Sequence, residues 1–336
     1  MISEPPEFWL DHGKNDQRSR ELISPRSFQV MPYDELEAEV EGQYASHLTA
    51  ETFKRQYDQL QRGVSQVAKT LKEYNPDALI IVTDDQDEIM FEDNMPTFWV
   101  YWGDTMPLVA QKPAETAPAF AKAAAWGYGD VSMDVPVHAE LARHIIDFMM
   151  DAEFDVSHSR YLNAEHGGSI GPAGYVHWKR ETKLRPHGMS HGLSFIIRRV
   201  FDNNPDIPIV PVLQNTCYPP NQPRPSRCYA FGKAIRAAVE SWDSSKRVAI
   251  LASGGLSHFV LDQATDEMAL TAMKNKDAEA LCNLPLERLN SASSEIRNWI
   301  TTAGACEHLD FDLFEYVPVV RTPAGTGGGW GFGRWT

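Results

Sequence analysis

The longest amphipathic stretch runs from Glu51 to Tyr74, where Phe53, Tyr57, Leu60, Val64, Val67, Ala68 and Leu71 recur at three- and four-residue spacing. That period predicts a helix with one buried face. Pro76-Asp77 ends it, and the continuous apolar run Ala78 to Thr83 follows, the pattern of a strand covered on both faces. Further strands are expected at Thr97 to Trp102, at Ile207 to Leu213, in "RVAILA" and in "FEYVPVV". The prolines of Ile207 to Leu213 place that strand at an edge or a strand end. Helices are expected at His138 to Asp151, Cys228 to Trp242, Asp266 to Cys282 and Ser294 to Ala303. Strands alternating with helices predict a single α/β domain over residues 1–336, with a central, mostly parallel sheet and helices on both faces. Gly167 to Gly188 reads as a long loop. The glycine-rich tail holds Trp330, Phe332 and Trp335, more aromatics than a linker carries, and is expected to be an ordered C-terminal flap folded onto the body.

Composition narrows the partners. The chain has 336 residues, 43% of them hydrophobic, enough for a large core. Its formal net charge of -15 repels phosphate backbones and anionic surfaces, so neither nucleic acid nor membrane is expected. No apolar run approaches the roughly 18 residues of a membrane span, and the acidic N-terminus shows no signal-peptide pattern. Cys217, Cys228, Cys282 and Cys306 are scattered, with no Cys-x-x-Cys pair. Reduced thiols in a cytoplasmic protein are the expectation.

Candidate chemistry sits at strand ends, where open α/β sheets bind ligands. The run Ala78 to Thr83 leads into Asp84-Asp85-Gln86-Asp87-Glu88, which is either a site or a solvated loop. "RVAILA" leads into Ser253-Gly254-Gly255-Leu256-Ser257-His258. That turn either aims His258 at a ligand or uses it to cap the next helix. His191 precedes an apolar segment. Glu295 falls in the first turn of a helix, where a carboxylate also suits the helix dipole. Dinucleotide and phosphate-loop glycine motifs, a Gly-x-Ser-x-Gly elbow and a His-Glu-x-x-His helix are all absent. Histidines and carboxylates at strand ends suit a non-haem metal or acid–base site. Arg180, Lys183, Arg185 and Arg321 are candidate partners for a substrate carboxylate.

"PDALIIVTDDQDEIMFEDNMPTFWVYWGD", "HGLSFIIRRVF", "IPIVPVLQNTCYPPNQPRPSRCYAFGKAIRAAV", "RVAILASGGLSHFVLD", "SEIRNWI" and "YVPVVRTPAGTGGGWGF" follow one another in this order. In these the chain resembles the class III extradiol ring-cleavage dioxygenases, of the protocatechuate 4,5-dioxygenase beta-subunit type. It is most similar to their 3-O-methylgallate dioxygenase-like branch. The resemblance implies a non-haem Fe(II) enzyme that inserts O2 into a catechol- or gallate-type ring, with a small aromatic substrate and a homo-oligomeric state. It implies that His258 is the catalytic base, that His191 is a second active-site histidine, and that Glu295 is the carboxylate metal ligand. Gln86, Asp85, Gly255 and Ser257 are expected in the substrate pocket, with the glycines clearing space for a planar ring. Two departures stand out. The family's first strand, with a Gly-x-Ser-His-x-Pro turn that supplies an iron ligand, is expected to be missing here, either because Met1 is an internal start or because the chain is a truncated form. Where the protocatechuate branch has Asn-Asp-His, this chain has Asp84-Asp85-Gln86. The nitrogen ligands are therefore unassigned, and the alternative is a metal-poor family member acting as a subunit or binding module. A metal-dependent hydrolase is the weaker third reading.

Overall fold

The computed structural model describes residues 1–162 and 188–336. Ahead of the long helix lie α1 (Trp9–Asp16), the short strands β1 (Leu22–Ile23) and β2 (Val30–Met31), and α2 (Tyr33–Glu39). The periodic stretch then forms α3 (Ala50–Tyr74), with the Thr49 hydroxyl accepting from Thr52 N–H at its start. Asn75 closes the helix in the left-handed conformation. The chain continues as β3 (Ala78–Asp84), β4 (Phe98–Tyr101), β5 (Thr105–Leu108), α4 (Ala119–Tyr128), β6 (Met133–Pro136), α5 (Ala139–Asp151) and β7 (Ser157–Ser159). Beyond residue 187 come α6 (His191–Arg199), β8 (Ile209–Gln214), α7 (Pro225–Ser241), β9 (Val248–Ala252), α8 (Gln263–Lys274), α9 (Ala278–Cys282), α10 (Ile296–Ala305), β10 (Phe311–Val320) and β11 (Gly327–Trp335).

The main sheet has the order β7-β4-β8-β3-β9, and every pairing is parallel except β4 with β8. Alternation along the central strand β3 divides the core. Leu79 and Ile81 pack with Leu193 and Ile197 of α6 on one face. Ala78, Ile80 and Val82 pack with Ile145 of α5 and Phe231 of α7 on the other. This is the α/β architecture with helices on both faces that the strand–helix alternation predicts.

Four local expectations change. The strand at 209–214 is interior, between β3 and β4, despite Pro211. Its ladder with β4 covers only Val212 to Gln214, so Pro211 lies outside it and its missing N–H costs no bond there. The helix expected over 266–282 breaks in two, because Lys276 takes a positive φ of 54° and Asp277 caps α9 through Ala280 N–H. Glu295 ends a 3-10 turn, Ser291–Glu295, ahead of α10 rather than lying inside the helix. The glycine-rich tail is a full strand, β11, paired antiparallel with β10 along most of its length. The loop expected at Gly167 to Gly188 lies outside the described residues, apart from Gly188, which bridges Leu108.

Candidate active site

Three parallel strands deliver their carboxyl ends to one place. β3 ends at Asp84, β8 leads into Asn215-Thr216-Cys217, and β9 leads into the turn that carries His258. α8 is capped by Asp262, which accepts from Thr265 N–H, so His258 is not that helix's cap. Its ring instead faces Glu295. The backbone of β11 holds the turn there: Leu256 N–H donates to Gly329 O at 3.0 Å, and Gly329 N–H to Ser257 O at 2.8 Å.

Glu295 is the centre of the cluster and is 4% exposed. Its Oε2 accepts from Gly255 N–H at 2.7 Å. Its Oε1 accepts from Gln86 Nε2 at 2.8 Å and faces His258 Nε2 at 3.1 Å. His258 Nδ1 lies 2.9 Å from Leu256 O, a carbonyl that can only accept, so Nδ1 carries a hydrogen. One further proton must then sit between Nε2 and Oε1, because two lone pairs do not make a 3.1 Å contact. Burial works against the charge on both groups. The Glu295 carboxylate overrides it and raises the His258 pKa, and His258 in turn holds Glu295 below the usual carboxylate range. The shared proton therefore belongs to the imidazole.

Gln86 donates its amide to two carboxylates, Glu295 at 2.8 Å and Asp84 at 3.2 Å. Asp84 also accepts from Thr216 Oγ1 at 3.2 Å and Asn298 Nδ2 at 3.4 Å. Burial, and then the neighbouring Glu295 charge, push Asp84 up to about 7. Gln86 thus braces two acids that would repel one another if both were ionised.

A second cluster adjoins the first. His191, at the start of α6, donates its backbone N–H to Glu88 Oε1 at 2.7 Å, and its Nδ1 lies 2.9 Å from Glu88 Oε2. Tyr128, the last residue of α4, donates its hydroxyl to Glu88 Oε1. Burial opposes a charge on His191, but the Glu88 carboxylate outweighs it and raises its pKa to about 10.

Both clusters open on one cavity of about 940 Å³. Asp84, His191, Gly255, His258, Glu295 and Trp330 line its polar end. Much of its remaining wall is apolar and follows β9, whose one pairing among the described residues is with β3, although Thr70, Arg236, Glu240, His308 and Arg334 also line it. The Trp330 ring stands 5.4 Å from that of His258, tilted by 31°.

The structure brings together His258, Glu295, Gln86, Gly255 and His191 of the residues singled out from sequence. Asp85 points elsewhere, its carboxylate accepting from the backbone N–H groups of Glu88, Ile89 and Met90. Ser257 turns to Asp266, donating its hydroxyl at 2.8 Å. Gly255 lines the cavity, and a Cβ there would meet His258 Cε1 at 2.7 Å. Arg321 is locked in a buried pair with Asp16 at 2.6 Å, while Arg180, Lys183 and Arg185 lie outside the described residues. Asp84 and Glu88 were flagged only as part of an acidic run that could be a site or a solvated loop, and Tyr128, Asn298 and Trp330 were given no site role. Asn298 sits one turn beyond Glu295, a spacing that would have flagged it. Nothing local to "AWGYG" marks Tyr128.

The donor set is short for ferrous iron, which takes two imidazoles and a carboxylate on one face. Among the described residues no three His, Cys, Asp or Glu side chains are placed to hold one metal ion. Glu295 and His258 supply one carboxylate and one imidazole, and the second imidazole, His191, is tied to Glu88.

A mostly parallel sheet with helices on both faces, and with histidines and carboxylates gathered at its strand ends, defines an α/β protein. The chain belongs to the family described as the catalytic LigB subunit of aromatic ring-opening dioxygenase, which it matches over residues 44–315. It is 32% identical over 123 residues to a gallate dioxygenase of Pseudomonas putida, a match covering 37% of this chain and 29% of that one. It is 30% identical over 159 residues to a 2,3-dihydroxyphenylpropionate/2,3-dihydroxicinnamic acid 1,2-dioxygenase of Rhodococcus rhodochrous, covering 46% of this chain and 42% of that one. The Comamonas testosteroni protein of the same name is 22% identical over 199 residues, covering 59% and 48%. The chain therefore spans less than half the length of each of these relatives. No helix among the described residues is long and apolar enough to cross a membrane.

Proposed function

We propose that the chain is an aromatic ring-opening dioxygenase of the extradiol type, acting on a catechol- or gallate-type ring with O2, and that His258 is its proton-transferring base. The observation that carries this is the His258–Glu295 contact at the carboxyl ends of the parallel strands, facing a cavity of about 940 Å³. That volume lies within the range of small-molecule sites, roughly 300–1,000 Å³.

The chemistry of these residues is proton transfer at Nε2. Nδ1 is held by Leu256 O, so a hydroxyl that reaches the cavity end meets Nε2 alone. With Nε2 protonated in the metal-free site, His258 is poised to donate a proton, and it takes one from a phenolic hydroxyl in its neutral form, whose proton affinity Glu295 raises by stabilising the cation. The Trp330 ring beside it offers an apolar surface against which an aromatic ring packs. Ferrous iron is the metal the family's chemistry asks for, with Glu295 as its carboxylate ligand. The described residues do not complete that site by themselves. A reducing cytoplasmic setting suits the four free cysteines.

The short donor set favours a second reading, a metal-poor family member that binds aromatic acids as a subunit or binding module. One experiment separates the two. The chain is loaded anaerobically with ferrous iron, and oxygen uptake is followed with gallate, 3-O-methylgallate, protocatechuate and catechol, while tryptophan fluorescence reports binding. Uptake with a ring-opened chromophore, lost in His258→Ala, supports the enzyme. Binding without uptake supports the module, and neither uptake nor binding rejects both.

A further inference from the structure

Glu88 is a buried carboxylate outside the Glu295 cluster, and four donors converge on it. Its Oε1 takes the Tyr128 hydroxyl and the backbone N–H of His191, and its Oε2 takes the backbone N–H of Gln86 at 3.2 Å and faces His191 Nδ1 at 2.9 Å. The donors come from α4, from α6 and from the loop after β3. No local turn explains this convergence, since Glu88 lies 103 residues from His191 and 40 from Tyr128.

We propose that Glu88, braced by Tyr128, is the positioning residue for His191: it fixes the hydrogen on Nδ1, sets the ring plane, and leaves Nε2 as the nitrogen presented to the cavity. Carboxylate–imidazole pairs fix tautomer and orientation in this way wherever one ring nitrogen must face a ligand. The ligand class that suits such an imidazole is an oxygen anion, either a phenolate or the carboxylate of an aromatic acid. This last point rests on the functional reading above, whereas the positioning role does not. Among the described residues, the charged and titratable groups acting on the ring are Glu88 in contact and Asp84 and Glu295 through space, with Tyr128 bound to Glu88 rather than to the ring.

The test uses the full chain, metal-free and ligand-free, with 15N-labelled histidine. The His191 ring signals are assigned by their loss in His191→Gln. At pH 8, where an ordinary histidine is neutral, wild-type His191 is expected to keep hydrogens on both nitrogens. Glu88→Gln, which preserves shape, should lose one of them and lower the proton affinity of the ring at least tenfold. Tyr128→Phe should move it in the same direction by less. Circular dichroism confirms that both variants fold. Unchanged His191 signals in folded Glu88→Gln would overturn the proposal, as would a wild-type ring with its lone hydrogen on Nε2. Protocatechuate added afterwards reads the separate question of function: if it fails to perturb the wild-type His191 signals, the functional reading suffers and the positioning result stands.

Discussion

His258 Nε2 and Glu295 Oε1 lie 3.1 Å apart across 37 residues of sequence, with one proton between them. Removing either partner strands a buried charge, although Gln86 and Gly255 still donate to Glu295. A hydrogen bond between charged groups contributes about 1.5–3 kcal/mol, so His258→Ala in the metal-free chain should lose about 2 kcal/mol near pH 5.5. The pH window follows from the two directions. Glu295 is held below its ordinary 4.5, so its share is present above that pH and fades as pH falls through the folded value. His258 is held above its ordinary 6.5, so its share is complete below that pH and is lost as pH rises through the folded value. Urea denaturation of a double-mutant cycle with Glu295→Gln should show the largest coupling between about pH 4.5 and 6.5. Coupling that stays flat from acid to alkaline pH would contradict the shared proton.

Asp84 shows the opposite sign. Burial and Glu295 raise it from an ordinary 3.8 to about 7, so the folded state holds a proton that the unfolded chain has already released. Folding therefore weakens as pH rises through that interval. Asp84→Asn keeps an acceptor for Gln86 and removes the charge. At pH 8 it should stabilise the metal-free chain by about 1–3 kcal/mol, and near pH 4 by almost nothing. Thermal melts at the two pH values decide the matter, and equal melting points at pH 8 would rule out the raised acid.

Gln86 occupies the point from which a side chain reaches both Asp84 and Glu295. An imidazole there would stand beside His258 and Glu295 and bring two nitrogens and a carboxylate together. Gln86→His should therefore tighten binding of Co(II), used as a spectroscopic stand-in for ferrous iron, by about tenfold or more. Calorimetry measures the affinity. A variant that binds no more tightly than wild type would mean that Gln86 does not face the metal position.

Most of the sheet was legible because β3, β4, β8 and β9 are apolar runs; the edge strand β7, Ser157–Ser159, is polar and gave no such signal. The edge placement of Ile207 to Leu213 failed because proline forbids only the bond it would have donated, and Pro211 falls outside the β4 ladder. In the site, His258 and Glu295 were readable from strand ends and family motifs. Asp85 and Glu88 were not separable, since both lie in one acidic run. The fold spends Asp85 on three backbone N–H groups and Glu88 on a histidine from another helix. Such a division depends on long-range packing, and no local spacing records it. Gly255 does line the cavity, although the space its missing Cβ leaves is occupied by the His258 ring.

The tail glycines give the sharpest packing test. β11 passes so close to the His258 turn that a Cβ on Gly329 would lie 1.8 Å from Asp266 Oδ2 and 3.2 Å from the Tyr316 ring. Asp266 cannot simply retreat, because it accepts from Ser257 N–H at 2.7 Å, Ser257 Oγ at 2.8 Å and Tyr316 OH at 2.7 Å. Gly329→Ala must break part of this network or lift β11 from the turn. Overpacking costs about 1–3 kcal/mol, and a lost buried hydrogen bond adds to it. The expected loss is about 3 kcal/mol, with His258 released from its fixed orientation. Gly127→Ala is the control: the nearest atom to its Cβ is 3.9 Å away, and alanine favours the helix by up to about 1 kcal/mol. Denaturation midpoints of the two variants should therefore move in opposite directions, and a Gly329→Ala protein as stable as wild type would show that β11 does not clamp the turn.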